Sequence, residues 1–430
     1  MNKVTKLITK NCGIITPYVI DEYVKTDGFK ALQKALNMNP LEIIQEVKES
    51  KLMGRGGAGY PTGTKWEQAL HVKNSPKYIM CNADEGEPGT FKDKIILDQD
   101  PLRLIEGMII AGYVLNSNKG YIYIRGEYPK SQKIVTTAIE NAKKAGFLGK
   151  NILNSGYDFD IEVLGGAGAY VVGENSALVE SSEGNVGRPR IKPPYIKVQG
   201  LYKMPTLVNN VETFASISYI VLNGGKNYAK YGTDSSGGTK LICLSGNVNN
   251  RGVFEVPFGI TLREIIYDIG QGIPENKKFK FAQIGGSSGA CINEKMLDIP
   301  LCYKSFKENG ISIGSGAILV ADESNCVVDF LKIISEFFVH ESCGKCTPCR
   351  EGNKQILNIL KKFQSGTATH EDYMTLYKLM EAMKYASFCG LGKSAPNALA
   401  SCLKLFKSEF DNHIYHNCSA NVCFSQEGVN

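Results

Sequence analysis

No stretch of this chain approaches the ~18 consecutive apolar residues of a membrane-spanning helix, so membrane association is expected only indirectly, through a complex. The first twelve residues carry Lys3, Lys6 and Lys10 and no acid, yet they lack the apolar core of a secretory signal. Cytoplasmic residence follows as the default, with peripheral attachment to the cytoplasmic membrane face or an organellar matrix as alternatives. There is no basic arm either: the formal net charge of +6 is spread along the chain, and with no nucleic-acid motif it points instead to anionic cofactors or acidic partners. Zinc fingers pair two C-x2-4-C units, and no second unit lies near the Cys343–Cys349 run. At 430 residues the chain is long enough for two or three domains that each bury a core, so its 13 cysteines are not needed as a disulfide framework. Odd in number, with three inside seven residues, they read as cofactor chemistry in a reducing compartment.

What is present begins with a glycine surplus, 45 residues, which signals close backbone approaches, often to ligands. Residues 1–50 read as an N-terminal helical extension. From 51 to 238 the pattern alternates: strands at Lys77–Cys81, Gly120–Arg125 and Phe159–Leu164, helices at Pro101–Leu115 and Ser131–Ala145. This is an α/β layered, Rossmann-like domain. Between 239 and 325 the texture changes to LICLSGNV, a turn at Asn249–Gly252, VFEVPFG and a short helix, which predicts a small ubiquitin-like (β-grasp) module. Four amphipathic stretches at 327–339, 352–363, 370–384 and 396–410 predict a helical bundle over 326–412. The tail, 413–430, holds Cys418 and Cys423 in polar, unpatterned sequence and is expected to be poorly ordered.

Cys343-Gly-Lys-Cys346-Thr-Pro-Cys349 places three soft ligands on one short turn shaped by Gly344 and Pro348. That spacing suits a four-iron cluster whose last iron takes a thiolate from elsewhere. Cys389 leads as the fourth ligand because Phe388-Cys389-Gly390-Leu391-Gly392 forms a glycine-flanked bend between bundle helices. Cys402 falls on an apolar stripe and reads as core, as do Cys12, Cys243, Cys291, Cys302 and Cys326; Cys81, beside an acidic loop, either packs or lines the site. Structural zinc on four cysteines is the alternative.

Gly54-Arg55-Gly56-Gly57-Ala58-Gly59 formally matches the dinucleotide fingerprint G-x-G-x-x-G. That fingerprint demands a preceding strand, and a helix precedes this run. What survives is a stretch of backbone N–H groups able to cradle a phosphate or lie against a flat ring. A second run, Gly165-Gly166-Ala167-Gly168-Ala169, does follow a predicted strand. Asn82-Ala83-Asp84-Glu85-Gly86-Glu87 concentrates carboxylates at a strand end, the usual ligand edge of such a sheet, where they can accept from ribityl or ribose hydroxyls.

Together GRGGAGYPTGTKW (54–66), NADEGEPGTFKDK (82–94), GAGAYVVGEN (166–175) and ESCGKCTPCREG (341–352), with FCGLG (388–392), resemble one family: the NADH-binding flavoprotein subunit of respiratory complex I and its relatives in NAD-linked hydrogenases and formate dehydrogenases. The likeness runs from Asn11 to about Phe410. It implies an NADH dehydrogenase subunit carrying FMN and a [4Fe-4S] cluster and acting on NAD(H). By resemblance FMN contacts Gly56, Gly57, Lys65, Asn82, Asp84, Glu85, Tyr170, Gly173, Glu174, Val208, Asn209 and Asn210. NADH uses Tyr60, Glu87, Lys192 and Tyr195, and Cys343, Cys346, Cys349 and Cys389 ligate the cluster. No side chain is implied as an acid or base, since the hydride passes between cofactors.

Two positions depart from the family pattern. Asn175 stands where a second glutamate is usual, and Tyr60 where phenylalanine is common. Selectivity for NADH over NADPH therefore rests on Glu87, whose charge would repel a 2′-phosphate. Other electron carriers are expected on separate chains: a thioredoxin-like [2Fe-2S] subunit and a larger iron–sulfur or hydrogenase subunit. The opening NCGIITPYVIDEYVKTDGFKAL looks like the hydrogenase-type members. A scaffold bearing a cluster or zinc, with a dead nucleotide site, is the competing reading.

Overall fold

The structure, a computed structural model, describes residues 3–424. Three short helices, α1 (Ile20–Lys25), α2 (Lys30–Ala35) and α3 (Pro40–Glu49), open the chain. Asn39 and Glu42 form a capping box at the start of α3, with Pro40 in its first turn, the arrangement that supplies the unpaired first-turn amides with acceptors.

The α/β region follows as α4 (Thr62–Leu70), β1 (Tyr78–Ala83), α5 (Lys92–Gln99), α6 (Pro101–Leu115), β2 (Lys119–Ile124), α7 (Pro129–Lys144), β3 (Asp160–Gly165), α8 (Asn175–Ser182), β4 (Thr206–Asn210), α9 (Val211–Asn223) and α10 (Gly225–Ala229). Its four strands form a parallel sheet in the order β3-β2-β1-β4. The chain steps from β1 outward through β2 to β3, then returns to the opposite side of β1 as β4. The strand order thus reverses beside β1, and in open parallel sheets ligands bind at the carboxyl ends of the strands at such a switch point. Helix α6 is buried along almost its whole length, so its apolar residues recur all round the helix rather than on one stripe.

A second, mixed sheet follows: β5 (Thr239–Gly246), β6 (Gly252–Pro257), β7 (Phe279–Ile284), β8 (Ala290–Ile292) and β9 (Ala317–Asp322), ordered β6-β5-β9-β7-β8, with α11 (Tyr303–Glu308) before β9. The central pair β5·β9 is parallel and the others antiparallel. Its core, from Ile242 to Val320, is a cluster distinct from that of the first sheet.

The C-terminal helices are α12 (Val327–Glu341), α13 (Thr347–Ser365), α14 (His370–Ala386), α15 (Gly390–Ser394), α16 (Asn397–Leu405) and α17 (Lys407–Ile414). Three expectations are corrected here. The fourth bundle helix breaks at Phe406 into α16 and α17. Cys349 does not sit on a loop: α13 begins at Thr347 with Pro348 in its first turn, where a proline costs no hydrogen bond. The segment after Phe410 is not loose. Cys418 is 5 % exposed and Phe424 packs on His413 and His416; no helical periodicity marks it because side-chain contacts hold it. Residues 425–430 of the expected tail lie outside the described residues.

Candidate flavin and iron–sulfur site

The glycine run 54–59 is anchored from below. The Arg55 backbone N–H donates to Thr213 Oγ1 at 2.9 Å, and its buried guanidinium donates to the Gly237 carbonyl at 2.9 Å. Glu212, on the first turn of α9, gathers three buried cations: Lys240 at 2.6 Å, Lys92 at 3.0 Å and Arg55 at 3.8 Å. Glu212 also accepts from the Leu241 amide at 2.9 Å, tying the first sheet's switch point to β5. Glycine is required above this platform. A Cβ on Gly56 would stand 3.1 Å from Asn210 Cβ, and Gly57 holds φ +120° against Gly314.

Around that cradle the carboxyl ends of β1 and β4 bring together most of the expected flavin contacts. Asn82 and Asn210 are register partners. Asn82 Nδ2 donates to the Gly173 carbonyl at 2.9 Å, and a Cβ on Gly173 would lie 3.7 Å from the Asp84 carbonyl. Lys65 donates to the Val208 carbonyl. The Asn209 amide, turned to do so, accepts from the Trp66 indole at 2.9 Å.

Three observations say that this pocket fits an anionic, hydrogen-bonding ring system. Asp84 Oδ2 is buried without a partner, the glycine cradle leaves room a Cβ would fill, and Lys65 has no carboxylate within ion-pair distance among the described residues. Burial pushes the Lys65 ammonium down to about 8 and the Asp84 carboxyl up to about 7, the latter against the pull of Arg125. Since the folded pKa of Asp84 is raised, its contribution to stability is largest below the unfolded value of about 4 and disappears as pH rises through about 7. The ligand-free chain should lose denaturation midpoint over that window, and Asp84→Asn should lose less, as read by urea titrations at several pH values.

Glu85 and Glu174 both accept from amides at helix starts. The Glu85 carboxylate accepts from the Asp93 and Lys94 amides at 2.8 and 3.1 Å and caps α5; burial, with the nearby Asp93 charge, raises it to about 7. Glu174 caps α8 through the Ser176 and Ala177 amides, each at 3.0 Å, and pairs with Lys192. Burial works to raise the Glu174 carboxyl, but Lys192 and the α8 amides hold it below its usual value.

Of the expected nucleotide contacts, Tyr60 and Tyr195 are 46 % and 55 % exposed, rings free to receive a flat partner. They are joined through Gln68, which donates to Tyr60 Oη at 3.0 Å and accepts from Lys197 at 2.7 Å; Lys197 in turn lies 6.0 Å over the Tyr195 ring. Glu87 accepts from Tyr170 Oη at 2.7 Å and the Ser288 amide at 3.1 Å, and burial raises its carboxyl. The Gly286–Ser288 partners of Glu87 come from the second sheet and were missed by sequence reasoning. The only available signal was the glycine run IGGSSG at 284–289, 201 residues away from Glu87. Asn175 opens α8 beside Glu174.

The four expected cluster ligands share one cavity. Cys343, Cys346, Cys349 and Cys389 line it with Ser342, Lys345, Val171, Pro189, Phe388 and Leu391. The Phe388 amide donates to Cys346 Sγ at 3.4 Å, and Ser342 and Asn353 lie 3.3 and 3.4 Å from Cys349 Sγ. Burial, then the neighbouring Cys346, Cys389 and Cys343, pushes the Cys349 thiol up to about 11, and burial raises Cys389. Four thiols in an apolar hollow cannot ionise together without a cationic centre among them, so the donor set fits a metal cluster. Cys402, Cys418 and Cys423 are not among the lining residues.

Two family models match: Nuo51 FMN-binding domain over residues 47–219, and NADH-ubiquinone oxidoreductase-F iron-sulfur binding region over residues 329–413. The chain is 45 % identical over 422 residues to the NADP-reducing hydrogenase subunit HndC of Solidesulfovibrio fructosivorans, covering 98 % of this chain and 86 % of that protein. The chain belongs to this flavoprotein family. It is also 46 % identical over 394 residues to a subunit of the NADH-quinone oxidoreductase of Aquifex aeolicus, covering 92 % of this chain and 91 % of that one. A crystal structure of an NAD+-reducing [NiFe]-hydrogenase in the H2-reduced state superposes with a TM-score of 0.82 at 33 % identity, over 96 % of this chain and 67 % of that chain. Membership makes the chain an FMN-binding oxidoreductase flavoprotein with a four-iron cluster region, on a parallel-sheet, Rossmann-like core. No helix among the described residues is long and apolar enough to cross a membrane.

Proposed function

We propose that this chain is the electron-input subunit of a soluble NAD-linked hydrogenase or formate dehydrogenase, or of complex I. Bound FMN supplies a two-electron hydride acceptor that can release electrons singly, and the cluster supplies a one-electron acceptor. The chain's own residues do the positioning. Gly56, Gly57, Asn82, Asp84, Tyr170, Gly173 and Val208–Asn210 hold the flavin and Lys65 meets its anionic part. Tyr60, Glu87, Lys192 and Tyr195 receive the nucleotide. Glu85 and Glu174 act on the flavin pocket through the helix ends that they cap. Cys343, Cys346, Cys349 and Cys389 ligate the cluster.

One observation carries the reading. The single turn Tyr170–Gly173 borders both sites: Val171 lines the four-cysteine cavity, while Gly173 packs on Asp84 and Asn82 two residues later. Tyr170 adds a second link, donating to Glu87 and packing its ring 5.1 Å from that of Phe337 on α12. Electrons leaving the flavin pocket therefore have the cluster pocket as their nearest neighbour.

The boundaries near 239 and 326 are supported by separate apolar cores, whereas residues 7–50 share the core of the α/β region. The parallel β5·β9 pair flanked by antiparallel strands supports a β-grasp reading of the middle unit. The partners proposed are a thioredoxin-like [2Fe-2S] subunit and a larger iron–sulfur or hydrogenase subunit. A cytoplasmic setting agrees with 13 cysteines that are all unpaired. For the coenzyme, Glu87 supports NADH; the test is kcat/KM for both nucleotides. NADH should be favoured at least about tenfold, and Glu87→Gln should narrow that ratio. Equal efficiency with NADPH in the native chain would refute the assignment.

A further inference from the structure

We propose that Cys326, His413, Cys418 and Cys423 form a second, mononuclear metal site that binds zinc and clasps the segment after α17 to the start of α12. The ligand atoms of these four residues all lie within 4.8 Å of one another. Cys326 Sγ stands 3.3 Å from His413 Nε2 and 3.4 Å from Cys423 Sγ. With Zn–S near 2.3 Å and Zn–N near 2.0 Å, the edges of a tetrahedral site measure roughly 3.5–3.8 Å, so the donors already stand close to the corners such an ion needs. A disulfide would demand about 2.05 Å between sulfurs, and both thiols are free.

The surroundings are those of a built site. His413 is 0 % exposed, and Cys326 and Cys418 are 3 % and 5 % exposed. His413 Nδ1 lies 2.6 Å from the Glu409 carbonyl. A carbonyl only accepts, so Nδ1 carries the proton and Nε2 is left with its lone pair facing the sulfurs, the orientation that outer partners impose on a ligating imidazole. Cys326 is the residue immediately before α12, where first-turn amides favour a thiolate. Three thiols and one imidazole suit zinc, and their tight grouping suits one ion rather than a four-iron cube.

The site sits at a junction. Glu409, whose carbonyl orients His413, also pairs with Lys280 of β7, and Lys280 donates to the Asn325 carbonyl at 2.7 Å. An ion here would fasten α12, α17 and the segment to Cys423 at the edge of the second sheet. Because only the folded chain assembles the four donors, bound ion stabilises the fold.

Elemental analysis of the purified full chain is the test, with iron and zinc counted together. We expect about one zinc per chain besides the cluster iron. Cys423→Ala should lose that zinc and keep its iron, whereas Cys389→Ala should lose iron and keep zinc. His413→Ala, read after cobalt replacement, should lose the visible absorption of a tetrahedral thiolate site. Zinc well below stoichiometry in the native chain, zinc retained in both Cys423→Ala and His413→Ala, or a Cys326–Cys423 disulfide found by mass spectrometry would each overturn the proposal.

Discussion

Replacing Cys389 with alanine will lower cluster iron from about four atoms per chain to near zero, while FMN binding and NADH oxidation by artificial two-electron acceptors persist. Cys389 stands alone on the bend before α15 and meets the Cys343–Cys349 turn only across the cavity that all four thiols line. Its loss leaves an iron without a protein ligand but touches neither Asp84 nor the glycine cradle. Transfer to a one-electron protein partner should fall at least about a hundredfold, against little change with the artificial acceptor. Cys402→Ala is the control: Cys402 is buried in the bundle core and absent from the cavity wall, so its iron content should match that of the native chain. Full iron in Cys389→Ala would assign the fourth ligand elsewhere.

The other large effect is expected at Glu212, beneath the glycine cradle. Glu212→Ala leaves Arg55, Lys92 and Lys240 buried with Asp93, 2.6 Å from Lys92, as their remaining close carboxylate partner. Breaking such a network typically costs about 3–5 kcal/mol, and here it also frees the Arg55 loop that carries the cradle. Both the urea midpoint and FMN retention should drop. The sign of the pH response is a further check. Burial, opposed by Glu212, holds the Lys240 ammonium down to about 8. Its folded pKa is thus below the unfolded one, and the unfolded chain binds more protons between about pH 8 and 10, so stability from this group rises with pH there. Without Glu212 that rise should begin at lower pH and extend over a wider window. A Glu212→Ala chain as stable as the native one would show that the ion cluster is not what holds the loop.

Local pattern made much of this legible. Helix α6 spans Pro101–Leu115 as its sequence reads, and β1 to β3 lie within a few residues of their predicted positions. The glycine run 54–59 follows helix α3 and not a strand, so it is not the strand–turn–helix fingerprint that its spacing imitates. The three-cysteine turn was legible because its ligands are at most six positions apart. Contacts between distant segments were not. Glu87 meets Ser288, and Glu212 meets Lys240 and Leu241; no spacing rule links residues whose approach depends on how two sheets dock. His413, Cys418 and Cys423 were hidden differently: the residue that completes them, Cys326, lies 87 positions before His413 and looks like ordinary core.

The most direct test of the account is an anaerobic titration of the purified chain with NADH, followed by visible absorbance and electron paramagnetic resonance. The flavin band should bleach at about one NADH per chain, and the signal of a reduced four-iron cluster should appear with it. A colourless chain with zinc in the four-cysteine cavity, or a coloured one whose spectra NADH leaves unchanged, would contradict the proposed function.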